Sequence, residues 1–368
     1  MCWLRATALC GLLFVSVVTA AAVPNRGELV FAHGFDPATV YPGGVNYLWH
    51  RLDRNGATCD REPYGLLPNY HLPGVRAAAQ QQLAAMHAGG MRSLSLGIHP
   101  IHGTHSGTLI DASDPVAVAQ VAENLASLLD DVHAAGFGRV LFRFFPQGSM
   151  NPSFAAWNPA LLDEYWSLVE TFRAVLAAGD VPYYIDLLVE GAPNDDNSLI
   201  CRNGGRCDPA NPAWSNAVRE LWRRYRVAYG VADTVGFSFL TAANRSRARV
   251  RHMKYVYEGT YPPVFAMDFY GEQIQPDGTH SELDQFIDMA NLMASYGSQY
   301  GFPADTPWII SEAYYNDPYA AAGISTAIAG SRLPVLYLTE WPLDRAATCD
   351  QVSEPPPYDF DIWRMYGF

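Results

Sequence analysis

Two glutamates far apart in the chain each close an apolar run of strand length: Glu190 in Tyr183-Tyr-Ile-Asp-Leu-Leu-Val-Glu190, and Glu312 in Trp308-Ile-Ile-Ser-Glu312. A carboxyl pair that meets across a pocket suits cleavage of a glycosidic bond, one group protonating the leaving oxygen and the other attacking the sugar. Their pKa values must then be pushed apart, the acid upward by burial or a like charge and the nucleophile held ionised. Arg143 and Tyr270 are candidates to hold the nucleophile's charge by hydrogen bonding. The plainer reading is that either glutamate only bonds a loop amide or an arginine.

The elements that must carry these groups alternate along the whole chain. Apolar runs of strand length occupy 29–33, 92–98, 139–145, 183–190, 235–241, 264–270, 308–312 and 335–339. Between them, 75–87, 115–134, 160–177, 214–229 and 283–296 repeat apolar residues three and four apart, the helical period. Asp114-Pro115 and Asn158-Pro159 read as helix starts, and Gly89-Gly90, Gly136, Gly179 and Gly301 as helix ends. Eight strand–helix units imply parallel strands joined by helical crossovers. A doubly wound open sheet uses the same alternation, but no Gly-x-Gly-x-x-Gly turn follows the first strand, and a count of eight favours a single (β/α)8 barrel over residues 23–368.

Barrel side chains alternate between the interior and the surrounding helices. Tyr184, Asp186, Leu188 and Glu190 then share one face of strand four, with Ile185, Leu187 and Val189 on the apolar face against the helices. Glu312 shares a face with Ile310 and Trp308. The same parity turns Arg143, Asp268, Tyr270 and His99 inward, and Arg143 with Asp186 is a natural pair, since a charge inside a barrel needs a partner.

Trp49, Tyr64, Phe145, Trp157, Tyr270, Tyr314, Tyr315 and Trp341 fall in or beside the loops after the strands, where flat faces suit sugar rings. His99, His102 and His105 admit a metal reading, yet loop histidines near a substrate more often bond hydroxyls.

The segment Pro307-Trp-Ile-Ile-Ser-Glu312-Ala-Tyr-Tyr resembles the strand-seven nucleophile motif of clan A glycoside hydrolases, retaining barrel enzymes with catalytic glutamates on strands four and seven. Val264-Phe-Ala-Met-Asp-Phe-Tyr270 resembles the strand whose tyrosine contacts the nucleophile, and Thr339-Glu-Trp341 the one whose aromatic floors the sugar subsite. The resemblance covers about residues 28–345. It implies catalysis by Glu312 as nucleophile and Glu190 as acid/base, with Tyr270 and Trp341 at a carbohydrate substrate; together with His99, Arg143, Asp268 and Tyr314 from parity and loop position, and Asn194 from the loop, these are the candidate substrate-binding residues, and no cofactor or metal is expected. One residue departs from the family pattern: Val189 stands where an asparagine normally precedes the acid/base glutamate. Asn194 is a candidate for that role from the loop, Asp195 and Asp196 are rival acids, and inversion stays open beside retention. A carbohydrate-binding barrel without catalysis and a metal-assisted hydrolase using the histidine loop are the competing functions.

Composition narrows the setting. With 368 residues, 49% hydrophobic and 17% charged, the chain has ample core and is not of the disordered class. A net charge of -13 and the absence of a basic run argue against nucleic acid as a partner. Residues 1–22 read as a secretory signal, Arg5 preceding a short apolar stretch and Ala-Ala-Ala22, with an uncleaved anchor as the alternative. The expectation is a secreted or periplasmic protein with no stable membrane insertion after cleavage. Cys59, Cys201, Cys207 and Cys349 then remain; Cys201 with Cys207 across a Gly-Gly loop, and Cys59 with Cys349, are the expected disulfides, with a zinc site as the rival reading.

Overall fold

The computed structural model describes residues 41–368 apart from 56–57, 64, 105–108, 153–157, 192–198, 202–206, 210–211, 242–252, 270–300, 303–305, 332–333 and 343–357. The signal segment, the run at 29–33, the helix at 283–296, His105, Asn194, Asp195, Asp196, Tyr270 and Cys349 lie outside the described residues.

Parallel strands form one sheet in which eight barrel positions follow in chain order. They are Gly44–Asn46, Ser93–Ile98, Arg139–Phe144, Tyr183–Asp186, a fifth position in two pieces (Thr234–Gly236 and Phe239–Thr241), Phe265–Phe269, Trp308–Glu312 and Val335–Glu340. The first piece of strand five pairs with strand four and the second with strand six, while strand one pairs with strands two and eight. Both ends of the sheet are therefore parts of one strand, and the sheet closes on itself as a (β/α)8 barrel.

Position one corrects the sequence expectation. The strand between strands eight and two is formed by the three residues Gly44–Asn46, a segment that the expectation of a first strand at 29–33 did not include. Glycine lets this strand approach its neighbours closely: a Cβ on Gly44 would lie 1.9 Å from the Ser93 carbonyl oxygen, and one on Gly43 2.1 Å from that of Leu338.

The helices pack outside as their capping signals require. Asp114 accepts from the Val116 and Ala117 amides at the start of Pro115–Ala134, and Asn158 from Leu161 at the start of Pro159–Ala178. Gly90, Gly136 and Gly301 take left-handed φ, whereas Gly179 ends its helix in extended backbone. A further helix, Pro318–Ser331, carries almost no polar stripe and was not visible in the periodicity. In a separate two-stranded ribbon the backbones of Cys201 and Cys207 lie directly opposite one another.

Inside the barrel the layers separate by chemistry. Leu141, Tyr184, Val235, Val264, Ala266, Ile309, Leu336 and Tyr337 form an apolar floor. Above it, toward the C-terminal ends of the strands, sits a buried polar layer: Asn46, Arg143, Asp186, Ser238, Asp268, Ser311 and Thr339. Strand two contributes Gly97, opposite Arg143 in the register.

Candidate active site

Arg143 is the centre of the polar layer and is fully buried. Its Nε donates to Asp186 at 3.2 Å, and its Nη1 to Glu312 at 2.5 Å and to the Asn46 side-chain oxygen at 3.3 Å. Its Nη2 donates to both Asp268 oxygens, at 2.7 and 2.8 Å, and to the Ser238 hydroxyl at 3.3 Å. Removing a guanidinium from water is costly, and here the cost is met by carboxylates and hydrogen-bond acceptors around its whole edge. Burial works against its charge, but Asp268, Glu312 and Asp186 outweigh that and raise its pKa, so it stays charged. Burial dominates for Asp186, whose carboxyl is raised from its ordinary value against the pull of Arg143, with Asp268 adding to the rise. Three carboxyls around one cation leave an excess of negative charge, which favours the same rise.

Small polar side chains lock this arrangement. The Asn46 amide nitrogen donates to the Ser311 and Glu340 carbonyl oxygens at 2.8 and 3.1 Å, tying strand one to strands seven and eight. The Ser311 hydroxyl donates to Asp268 at 2.7 Å and that of Thr339 to the Ser311 carbonyl at 2.7 Å. Ser238, between the two pieces of strand five, donates its hydroxyl to Asp268 at 3.0 Å and accepts the Glu190 amide at 2.9 Å. Its own amide donates to Asp186 at 3.1 Å. These residues escaped the sequence reading because a lone Asn or Ser in an apolar run matches no motif. The signal was their inward parity, as in Phe237-Ser-Phe239.

Glu312 reaches Arg143 by a route that the parity expectation missed. Trp308 and Ile310 pack in the outer core against the helices, while Ile309 points into the barrel floor. Strict alternation would send Glu312 outward with Ile310. The register with strand six instead slips at this point, Met267 facing Ile310 and Asp268 facing Glu312. Such an irregularity re-aims a side chain: Ser311 and Glu312 both reach the polar layer, and Glu312 is left 5% exposed.

Strand four also ends sooner than the run at 183–190 implied. Regular pairing stops at Asp186, and Leu187 and Leu188 both join the outer core, so the expected shared face of Asp186, Leu188 and Glu190 does not exist. Glu190 lies in a turn with φ 52, partly exposed. A left-handed glutamate is costly and persists where its surroundings impose it. Here the Ser238 hydroxyl holds its amide, and that hydroxyl also accepts from Arg143, the group that binds Glu312. Glu190 and Glu312 therefore meet the same end of the barrel.

The rim beside them is aromatic. His99, 8% exposed, stacks on Phe145 with ring centres 4.7 Å apart, and Phe145 lies under the Arg143 guanidinium at 5.0 Å. Gly97 makes room for that ring: a Cβ there would come within 2.6 Å of it. Tyr314 and Trp341, after strands seven and eight, are partly exposed. His102 is separate, pairing with Glu164 at 2.9 Å. Among the described residues, no group of three His, Cys, Asp or Glu side chains is placed to hold a metal.

No family model and no curated protein matches the sequence. Solved structures do match the fold. The β-glycosidase of the hyperthermophile Thermosphaera aggregans aligns over 89% of this chain and 92% of its own, with 10% identity and a TM-score of 0.52. The virulence factor SghA, bound to its substrate analog salicin, aligns over 92% and 94% at 10% identity and a TM-score of 0.52. An endo-β-mannanase/endo-β-glucanase of Prevotella bryantii aligns over 90% of this chain and 48% of its own, at 10% identity and 0.51. The chain thus shares the (β/α)8 barrel fold of these proteins.

Proposed function

We propose that this chain is a secreted glycoside hydrolase that cleaves β-linked poly- or oligosaccharides with retention. Glu312 is the nucleophile and Glu190 the acid/base. The observation that carries the reading is the single guanidinium that binds Glu312 directly and reaches the Glu190 backbone through one serine hydroxyl. Glu312 attacks the anomeric carbon while Glu190 passes a proton to the departing oxygen. In the second step Glu190 takes a proton from water, whose oxygen displaces Glu312 from the sugar. Arg143 and Asp268 orient the nucleophile; His99, Asn194, Tyr270, Tyr314 and Trp341 contact the sugar. Secretion by residues 1–22 and disulfides Cys201–Cys207 and Cys59–Cys349 complete the proposal, and the opposed backbones of Cys201 and Cys207 support the first pairing.

The fold neighbours support the substrate class, because their names describe β-glycosidase, mannanase and glucanase activities on the same barrel. The test is release of reducing sugar from a panel of β-glycans and aryl β-glycosides. Turnover of one substrate, lost in Glu312→Gln, is the expected result; a wild-type rate in that variant would overturn the mechanism. A second reading is a binding barrel without catalysis, favoured by the slight exposure of Glu312 and its bond to Arg143. Glycan affinity without turnover would select it.

A further inference from the structure

The loop that follows Glu312 is held from outside the barrel. The Trp341 amide donates to the Ala313 carbonyl at 2.7 Å, and the Trp363 indole to the Tyr314 carbonyl at 3.1 Å. The Asn316 amide donates to Glu340 Oε2 at 2.8 Å. The Asn316 side chain donates to Asp359 at 2.9 Å and accepts from the Ile362 amide at 3.3 Å. Asn316 itself takes φ 49, a conformation that these bonds impose and that asparagine tolerates better than most residues.

Residues 358–368 therefore form a wall of the barrel. Trp363 is fully buried, Phe360 is 4% exposed, Tyr358 packs edge-on against Tyr47 at 5.0 Å, and Arg364 donates to the Gly89 carbonyl at 2.7 Å. Glu340, the last residue of strand eight, is fully buried, and its carboxyl meets this wall and not the Arg143 centre.

We propose that Glu340, acting through the Asn316 amide, is a positioning residue for Glu312, and that residues 358–368 complete the clasp. The inference rests on the reading of Glu312 as nucleophile. Glu312 sits at the register slip; Arg143 holds its carboxyl, and the loop of four residues after it continues the backbone from which that carboxyl is aimed. A misplacement of about 1 Å is worth roughly 10²-fold in rate.

The Glu340 carboxyl also makes stability depend on pH. Burial raises the Glu340 carboxyl well above its ordinary value; the Asn316 amide opposes this and the neighbouring Asp359 adds to it. Strand one presents Val45 opposite Glu340, so Asp359 is the charged group that faces it among the described residues. A raised folded pKa means that the contribution is complete below the unfolded pKa and is lost as pH rises through the folded one.

The test compares Glu340→Gln, which keeps the acceptor and cannot ionise, with Glu340→Leu, which removes it. On a β-glycoside that the wild type cleaves, Glu340→Gln should keep kcat within about twofold. Glu340→Leu should lower kcat about tenfold or more with KM nearly unchanged. Amide exchange at residues 313–316 should accelerate in Glu340→Leu alone. Wild-type kcat and exchange in Glu340→Leu would overturn the proposal, as would equal damage by both variants. Should Glu340→Leu not fold, Glu340→Met, unbranched and of the same length but without the carboxyl acceptor, must show the same loss of kcat and faster exchange, and its failure to do so overturns the proposal equally. If the wild type cleaves no β-glycoside, the hydrolase reading fails, while the exchange measurement still decides the clasp.

Discussion

Replacing Arg143 with methionine should expose the electrostatic design of the barrel centre. The substitution keeps the apolar stem and deletes six hydrogen bonds, leaving Asp186 and Asp268 at 0% exposure and Glu312 at 5% without their shared cation. Breaking a buried pair by removing one partner costs about 3–5 kcal/mol, because the remaining charge has neither water nor a counter-ion. Three carboxyls depend on this one guanidinium, so the loss at pH 7 should lie near the upper end. The carboxyls can recover by taking up protons. A group whose folded pKa climbs past neutrality, above an unfolded value near 4, binds more protons folded than unfolded across this range. The stability of the variant then rises as pH falls, by roughly 2.7 kcal/mol between pH 7 and pH 5 for each such group. Asp186 is already raised in the wild type and adds little to the difference. Urea unfolding followed by tryptophan fluorescence at both pH values measures it. A deficit under about 1 kcal/mol at pH 7, or one that does not shrink at pH 5, would refute the view that Arg143 compensates buried carboxylates.

Other consequences concern the rim and the acid. Gly97→Ala should lower stability by about 1–3 kcal/mol, since its methyl meets the Phe145 ring and the Arg143 carbonyl, and should weaken substrate binding by displacing the His99 stack; thermal unfolding and KM report the two effects. Glu190→Gln should lower kcat/KM, which reports the first step, roughly 10²- to 10⁴-fold for glycosides with poor leaving groups and much less for an activated aryl glycoside, whose departure needs no proton; equal losses of kcat/KM on both would deny Glu190 the acid role. Glucose or mannose released in the first turnovers, observed by proton NMR, should carry the β configuration, and the α anomer would assign inversion.

Much of the scaffold was legible because local chemistry and global fold agree. Pro115–Ala134 begins at an aspartate that caps it and ends before a left-handed glycine, and the inward alternation of Leu141 with Arg143 survives intact in strand three. The Arg143–Asp186 pair followed from the cost of an isolated charge. What stayed hidden depends on departures from regularity. Strand one is three residues whose glycine suggests a turn until the close approach of strand two is known. Glu312 is aimed by a register slip, and Glu190 by a left-handed turn after a strand that stops four residues early; periodicity describes neither. Asn46, Ser238 and Ser311 acquire meaning only when strands one, four, five, six and seven converge on one guanidinium.

The most direct measurement is the mass of the peptide containing Glu312 after the protein is incubated with an activated 2-deoxy-2-fluoro β-glycoside, which slows release of a covalent sugar. A fluorosugar adduct on Glu312, forming with loss of activity and absent from Glu312→Gln, is the predicted result. An adduct on another carboxyl, or steady turnover of β-glycosides with no adduct at all, would contradict the role assigned to Glu312.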